Sequence, residues 1–589
     1  MSSASLRTLT DRRVSNREGW FVLTFSMAAS FAAIVWSWNH AAMLNYGDAV
    51  AHLHIARRIF DSRTARFSEL GSVWLPLSHI LLIPFVQNYA WWANGIAGVI
   101  PSALSYIASC AGIYRLARCW LDPAPAALAL AFFALNPNLL YLQTTAMTEP
   151  LFLCEVIWIV VWLVEWRLRL DENPPQATRL QLQIALTLIA AIFTRYDGWI
   201  IAFLAWTSIG VSLLKRRRLR HSPYFWLASV AIVAAPIAWL IYNSVSFGDW
   251  LYFARGPYSA QAIEMRTATS GTGPPHPGWH NPWEALLFFL KVSELDAVIA
   301  PSWSSLWGNV VLALATFGSV VAWFEEKAKA RRPALAWILL LWLPIPFYAW
   351  SVAYGSVPIF FPAWWPFTHY NTRYGLELLP ALALGVGFSA RFAAGAFGRW
   401  RGLRLVQFAP DIAFALFFAL AGINVIGLLR QEPIVYAEST YNLDARLPYE
   451  EAIPPLLRDL LRTFPHATVL MNTSTYPEII ALTGIPLRQT INESDLEIWR
   501  AALLAPASHA AIVVAWDGDE VDHAVKAHPV GLAVAGRFTA ENQPTATVYF
   551  STAEFQRMTH PATGAPRPDL GTPRPDAGPL TPDAITHTR

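Results

Sequence analysis

The 589-residue chain is 55% hydrophobic and only 14% charged, with a mean hydropathy of +0.35, whereas soluble domains carry roughly a quarter charged residues, so most of it is excluded from water. The net charge is only +3, and the basic residues stand in short runs between apolar stretches; this excludes a nucleic-acid-binding face and reads as membrane topology. Cys110, Cys119 and Cys154 lie in or beside apolar stretches without the paired spacing of a zinc site or a disulfide framework, which argues against both.

Residues 1–19 carry Arg7, Arg12, Arg13 and Arg17 and are expected in the cytoplasm, followed by an uncleaved anchor. A bilayer core asks for roughly 20 apolar residues per helix, and eleven such stretches are expected near 20–38, 93–114, 123–141, 148–166, 180–194, 197–214, 224–243, 301–324, 333–352, 375–392 and 408–429. The Leu75–Phe85 stretch is short and holds two prolines, so a helix lying along the interface is expected there. With that arrangement the runs at Arg115/Arg118, Arg167/Arg169, Lys215–Arg218, Lys327–Arg332 and Arg399–Arg404 all face the cytoplasm. Arg57, Arg58, Arg63 and Arg66 fall in the first outer loop instead, either as an exception to a statistical rule or as a magnet for an anionic lipid phosphate. Segment 269–282, rich in Gly and Pro, reads as a flap.

After Arg430 the pattern changes. Strands are expected at Ala467–Asn472, Ala511–Trp516, 532–538 and 545–550, with helical stretches near 475–483 and 494–504. Residues 434–551 thus form a small α/β domain outside the cytoplasm, and the Pro-rich residues 556–589 cannot bury a core. The expected fold class is an α-helical polytopic membrane protein, its membrane part spanning 20–430, with a C-terminal extracytoplasmic α/β domain.

Polar groups at a membrane boundary are costly, and four short segments bring them to the outer side. Tyr46–His54 starts a helix after the first span, with Val50, Leu53 and Phe60 as an apolar stripe facing the membrane. Asp48 is either its N-cap or a reactive acid; His52, one turn on, is spaced to share a metal or a proton with it. Thr144–Pro150 places Glu149 at a helix start, where the dipole favours an acid. Thr194–Trp199 holds Arg195, Tyr196 and Asp197 in a turn, as an ion pair or a substrate contact. His369, Asn371 and Arg373 head the tenth span after an aromatic run; Arg373 is an interfacial anchor or a phosphate ligand.

These segments, with Trp74–Leu77, the Thr-Glu-Pro helix start at 148–150, Arg195-Tyr196-Asp197-Gly198 and Asn371-Thr372-Arg373-Tyr374, resemble the GT-C superfamily of integral membrane glycosyltransferases, which includes dolichyl-phosphate-mannose protein mannosyltransferases and lipid A aminoarabinose transferases. The resemblance implies a polyprenyl-phosphate sugar donor, with transfer at the outer face, in a bacterial inner membrane. Many members carry two acids in the first loop; here Ala49 follows Asp48. Glycosyl transfer to a hydroxyl acceptor needs a base and cations for the departing phosphate. Asp48 is the expected base, Glu149 and Asp197 orient sugar or acceptor, Arg373 and Arg195 hold the phosphate, and His52, Arg57, Arg58, Tyr196, His369 and Asn371 complete the substrate contacts. The scheme requires no cofactor, and a divalent metal is the only one it leaves room for. Membrane lipid is the other expected partner. A transporter or lipid flippase would place charges mid-membrane, where Glu155 is the main exception; a non-catalytic envelope assembly protein would keep the four segments apart.

Overall fold

The computed structural model describes residues 14–171, 173–268, 275–298, 305–327, 332–397, 409–430, 432–474, 476–541, 543–553 and 555. Arg7, Arg12 and Arg13, the first part of the Gly/Pro segment (269–274), Lys329 and Arg331, Arg399–Arg404 and the Pro-rich tail from 556 lie outside the described residues.

The chain is a helical bundle: α1 (Asn16–Asn39), α2 (Gly47–Asp61), α3 (Leu77–Val86), α4 (Ile96–Arg118), α5 (Pro123–Ala134), α6 (Glu149–Arg169), α7 (Pro174–Thr194), α8 (Asp197–Lys215), α9 (Pro223–Phe247), α10 (Pro282–Ala297), α11 (Ser305–Lys327), α12 (Pro344–Tyr354), α13 (Leu379–Phe397), α14 (Ala409–Arg430) and α15 (Ile434–Thr463), with short helical turns between them. Among the described residues nine stretches are long and apolar enough to cross a membrane. Two of the eleven expected are not among them. The first breaks after Ala134, where Asn136 caps a separate short helix at Pro137–Leu142. The second is α6, which carries Glu149, Glu155 and Glu165 and is buried along most of its length. It packs between α4 and α7, so its acids face protein rather than lipid; Glu155, for example, accepts from Thr194 Oγ1 at 2.8 Å. Elsewhere helices approach through small residues, as at Gly318 and Gly385 between α11 and α13, the usual device where lipid removes the hydrophobic drive for association.

Two polar ends result. At one end Arg118 bonds Glu18 at 3.0 Å, Arg115 and Arg169 converge on Glu165, and Arg216 meets Asp171 at 3.1 Å. The other end carries Asp48, Glu149, Arg195, Asp197 and Arg373. α2 lies at that end, and Val50 and Leu53 are buried against protein while Phe60 is exposed, so the apolar stripe expected to face the membrane packs inward. α3 forms where an interfacial helix was expected and packs on α2 and α4.

Beyond the bundle, β1 (Val469–Met471), β2 (Thr490–Ile491), β3 (Ile512–Trp516), β4 (Leu532–Phe538) and β5 (Ala546–Ser551) form one sheet in the order β2-β1-β3-β5-β4. β2, β1 and β3 run parallel; β5 is antiparallel to β3 and β4. The two-residue β2 has too short an apolar run to show in the sequence.

The 3₁₀ segment Thr372–Leu378 lies against α10 so closely that a Cβ on Gly375 would fall 2.7 Å from the Ser293 nitrogen and against the Asp296 carboxylate. Gly375→Ala is therefore expected to lower the thermal unfolding midpoint in detergent, since overpacking of this kind costs roughly 1–3 kcal/mol. An unchanged midpoint would show that the segment is free to shift.

Candidate active site

Asp48 sits in the first turn of α2, but the residue preceding the helix is Tyr46, with no side-chain cap, so Asp48 is not the N-cap. Its carboxylate reaches across the chain instead, and Arg373 Nη2 donates to Oδ2 at 2.7 Å. The other two nitrogens of Arg373 are also taken: Nε donates to Glu149 Oε1 at 3.1 Å and Nη1 to Glu438 Oε1 at 3.1 Å. Arg195 repeats the pattern. Its Nη1 donates to the same Glu149 Oε1 at 3.2 Å, its Nε to Asp197 Oδ2 at 3.4 Å and its Nη2 to the Tyr348 hydroxyl at 2.8 Å, with Glu377 Oε1 at 3.1 Å. Tyr348 in turn donates to Glu377 at 2.6 Å. Glu149 thus joins two guanidinium groups into one network of eight side chains, and the residues expected to be reactive acids, Asp48, Glu149 and Asp197, all belong to it.

The network stands at three helix starts. Asp48, Glu149 and Asp197 occupy the first turns of α2, α6 and α8, where the helix dipole favours negative charge. Arg373 and Glu377 both come from the Thr372–Leu378 segment. Glu438, on the second turn of α15, also accepts from the Asn371 and Thr372 amides (2.8 and 2.9 Å), the Thr372 hydroxyl (2.6 Å) and the Tyr46 hydroxyl (3.2 Å). Sequence reasoning missed Glu377, Glu438 and Tyr348. For Glu377 the signal was present, four residues after Arg373 on a helical spacing.

Other expected site residues lie elsewhere. Arg57 is buried on Asp61 (2.8 Å) and the Val86 carbonyl (2.8 Å), with its guanidinium over Trp92; Arg58 bonds the Glu69 carbonyl at 3.2 Å. Both are buried and bonded within the fold, and neither joins the acid and arginine network, in keeping with the reading of this run as an exception to the charge rule. Tyr196 donates to the Val73 carbonyl at 3.0 Å and stacks on Phe253, tying loops at this end of the bundle together. Asn371 adopts a left-handed backbone (φ 56°), a conformation Asn tolerates, and its side chain bonds the Pro358 carbonyl at 2.9 Å. His369 packs beside Tyr441. His52 pairs with His79, Nδ1 to Nε2 at 2.8 Å, beneath Trp74; among the described residues no three His, Cys, Asp or Glu side chains are grouped to hold a metal. The expected phosphate ligands Arg373 and Arg195 have every guanidinium nitrogen bonded to a carboxylate or the Tyr348 hydroxyl, so in this arrangement they act first as clamps on the acids.

This bundle of apolar spans beside a C-terminal α/β unit is a fold that the chain shares with solved structures of low sequence identity. The particular structures it matches include ArnT from Cupriavidus metallidurans bound to undecaprenyl phosphate, with a TM-score of 0.52 at 13% identity over 90% of this chain and 98% of that one. The apo form of the same protein gives 0.51 at 13% identity, covering 91% and 98%. The Archaeoglobus fulgidus oligosaccharyltransferase tethered to an acceptor peptide gives 0.46 at 11%, covering 85% and 69%. No family model and no curated protein matches the chain by sequence.

Burial pushes the His52 imidazole down to about 4 from an ordinary 6.5, against the opposing pull of Asp48. In that window the unfolded chain binds a proton that the folded chain does not, so stability falls as pH drops. The thermal midpoint in detergent is expected to decline between about pH 6.5 and pH 4, and His52→Asn, which keeps an acceptor and a donor near His79, should flatten part of that decline. A variant with the wild-type pH profile would show that His52 is protonated in the fold.

Proposed function

We propose that the chain is an integral membrane glycosyltransferase that moves a sugar from a polyprenyl-phosphate donor to the hydroxyl of an acceptor. One observation carries this reading: Asp48 has 42% of its side chain exposed, whereas its partner Arg373 has 7%, and the other four carboxylates of the network are nearly buried. A general base has to reach the proton it takes. Arg373 engages Oδ2, leaving Oδ1 for the acceptor. As the acceptor oxygen attacks the anomeric carbon, its proton passes to Asp48; the bond from that carbon to the phosphate oxygen breaks, and the electron pair leaves with the phosphate. Of the two guanidinium groups, Arg195 is the more accessible at 15%, and its 3.4 Å contact with Asp197 is the longest in the network, so it is the one best placed to turn towards that phosphate.

The likeness in fold to ArnT, whose structure holds undecaprenyl phosphate, supports a polyprenyl phosphate as the lipid carrier. The separation of the two polar ends supports the topology. The end bearing Arg115, Arg118, Arg169 and Arg216 suits the cytoplasm under the positive-inside rule; the acidic network and the C-terminal sheet then face the outside of a bacterial inner membrane.

Because Asp48 caps nothing, Asp48→Asn removes the base without removing a cap. The variant is expected to insert and elute as wild type while losing transfer from a polyprenyl-phosphate sugar pool by roughly 100-fold or more; near-wild-type turnover would remove Asp48 from the mechanism. Topology is tested separately at Val530, which is 90% exposed in the C-terminal unit. Val530→Cys in intact cells should react with a membrane-impermeant maleimide admitted to the outer side of the inner membrane. Labelling only after lysis would place the site in the cytoplasm.

A further inference from the structure

α15 begins beside the site and ends at the C-terminal sheet, and three of its residues touch the two chain segments that present Asp48 and Arg373. On its first turn the Val435 carbonyl accepts from the Tyr46 hydroxyl at 2.8 Å, and at the start of the next turn the Glu438 carboxylate gathers the Asn371 and Thr372 amides, the Thr372 hydroxyl and Arg373. Roughly two turns on, Arg446 Nη2 donates to the Leu44 and Asn45 carbonyls at 3.0 and 2.9 Å, and its Nη1 donates to Glu478 Oε2 at 3.1 Å. Glu478 opens the helix Glu478–Thr483 of the C-terminal unit. One helix therefore grips the turn before Asp48 and the turn before Arg373, and is itself gripped by the sheet unit.

Charge balance does not explain Glu438. The two guanidinium groups of the network already face Asp48, Glu149, Asp197 and Glu377, so Glu438 deepens an excess of negative charge while being nearly buried, a costly position for a carboxylate. What it adds is geometry: two backbone amides and a hydroxyl fixed around the left-handed Asn371, immediately before Arg373. We infer that α15 is a positioning splint, with Glu438 setting the Asn371–Arg373 turn and Arg446 the Leu44–Asp48 turn, so that the C-terminal unit fixes the placement of the Asp48–Arg373 pair. The consequence for transfer rests on Asp48 being the base; the mechanical claim does not.

The full chain in lipid nanodiscs, with Glu438→Gln, Glu438→Asp and Arg446→Lys beside a control at exposed Asp444 (Asp444→Asn), separates the two. Backbone hydrogen exchange over residues 369–376 is expected to quicken in both Glu438 variants and also in Arg446→Lys, although Arg446 touches only the opposite segment; an Arg446→Lys rate equal to wild type overturns the splint. With a polyprenyl-phosphate sugar pool, Glu438→Gln and Glu438→Asp should each lower kcat by about 100-fold, the scale of a misplacement near 1 Å, with the donor KM within about twofold. Combined with Asp48→Asn, neither should add a further loss, because both act through the same pair; additive losses, or a Glu438→Asp variant with wild-type kcat, overturn the positioning role. A wild-type chain that transfers nothing from the pool overturns the proposed function alone, and the exchange result still decides the splint.

Discussion

A guanidinium group buried away from water has five N–H donors to satisfy and one charge to neutralise, and the site is arranged around two of them. Arg373 and Arg195 draw carboxylates from five separate parts of the chain: α2, α6, α8, the Thr372–Leu378 segment and α15. Each acid must then stand within about 3 Å of a donor fork of fixed shape, which fixes the relative placement of elements hundreds of residues apart in sequence. Three of the acids sit in the first turns of helices, so the dipoles of α2, α6 and α8 point their positive ends into the same region and help to hold the negative charge there.

Much of this was legible in the sequence for one reason: ionisable residues are so costly in a bilayer that they gather where the chain leaves it. Hydropathy located the spans, and the exits then located Asp48, Glu149, Arg195, Asp197 and Arg373. α6, expected as a span, runs inside the bundle from the end bearing Glu149 to the end bearing Glu165, and Thr194 and Arg115 bond Glu155 and Glu165 there. The same logic could not see the partners of two arginines. Arg57 and Arg58 looked available because a charge count over a loop cannot see Asp61 one turn along or the Trp92 ring that covers the guanidinium.

What the sequence hid was long-range partnership. Glu438 lies beyond the last span, in a stretch that reads as the start of an accessory domain, and its partners Asn371, Thr372 and Tyr46 stand 66 or more positions away. Tyr348 sits inside an apolar stretch where an aromatic ring needs no explanation, yet its hydroxyl connects Arg195 to Glu377. His52 carried a metal or proton reading because of its spacing from Asp48; the ring instead turns to His79, a partner supplied by a helix whose short, proline-interrupted pattern suggested a surface position.

The acid excess of the network bears on how the proposed transfer proceeds. In the resting arrangement an arriving phosphate meets arginines whose nitrogens each already bond a carboxylate or a hydroxyl, and the nearby carboxylates repel it. Taking the acceptor's proton changes both conditions at once. Asp48 becomes neutral, which lowers the local negative charge as charge develops on the leaving phosphate, and Arg373 loses the full counter-ion on Nη2 while keeping Glu149 and Glu438 on its other two nitrogens. The guanidinium stays in place, still bonded to Oδ2 of the neutral Asp48, but its positive charge is less fully balanced just as negative charge develops on the phosphate. That effect depends on Glu149 and Glu438 holding Arg373 still, which is why buried acids that never meet the substrate belong to the chemistry as much as the exposed one.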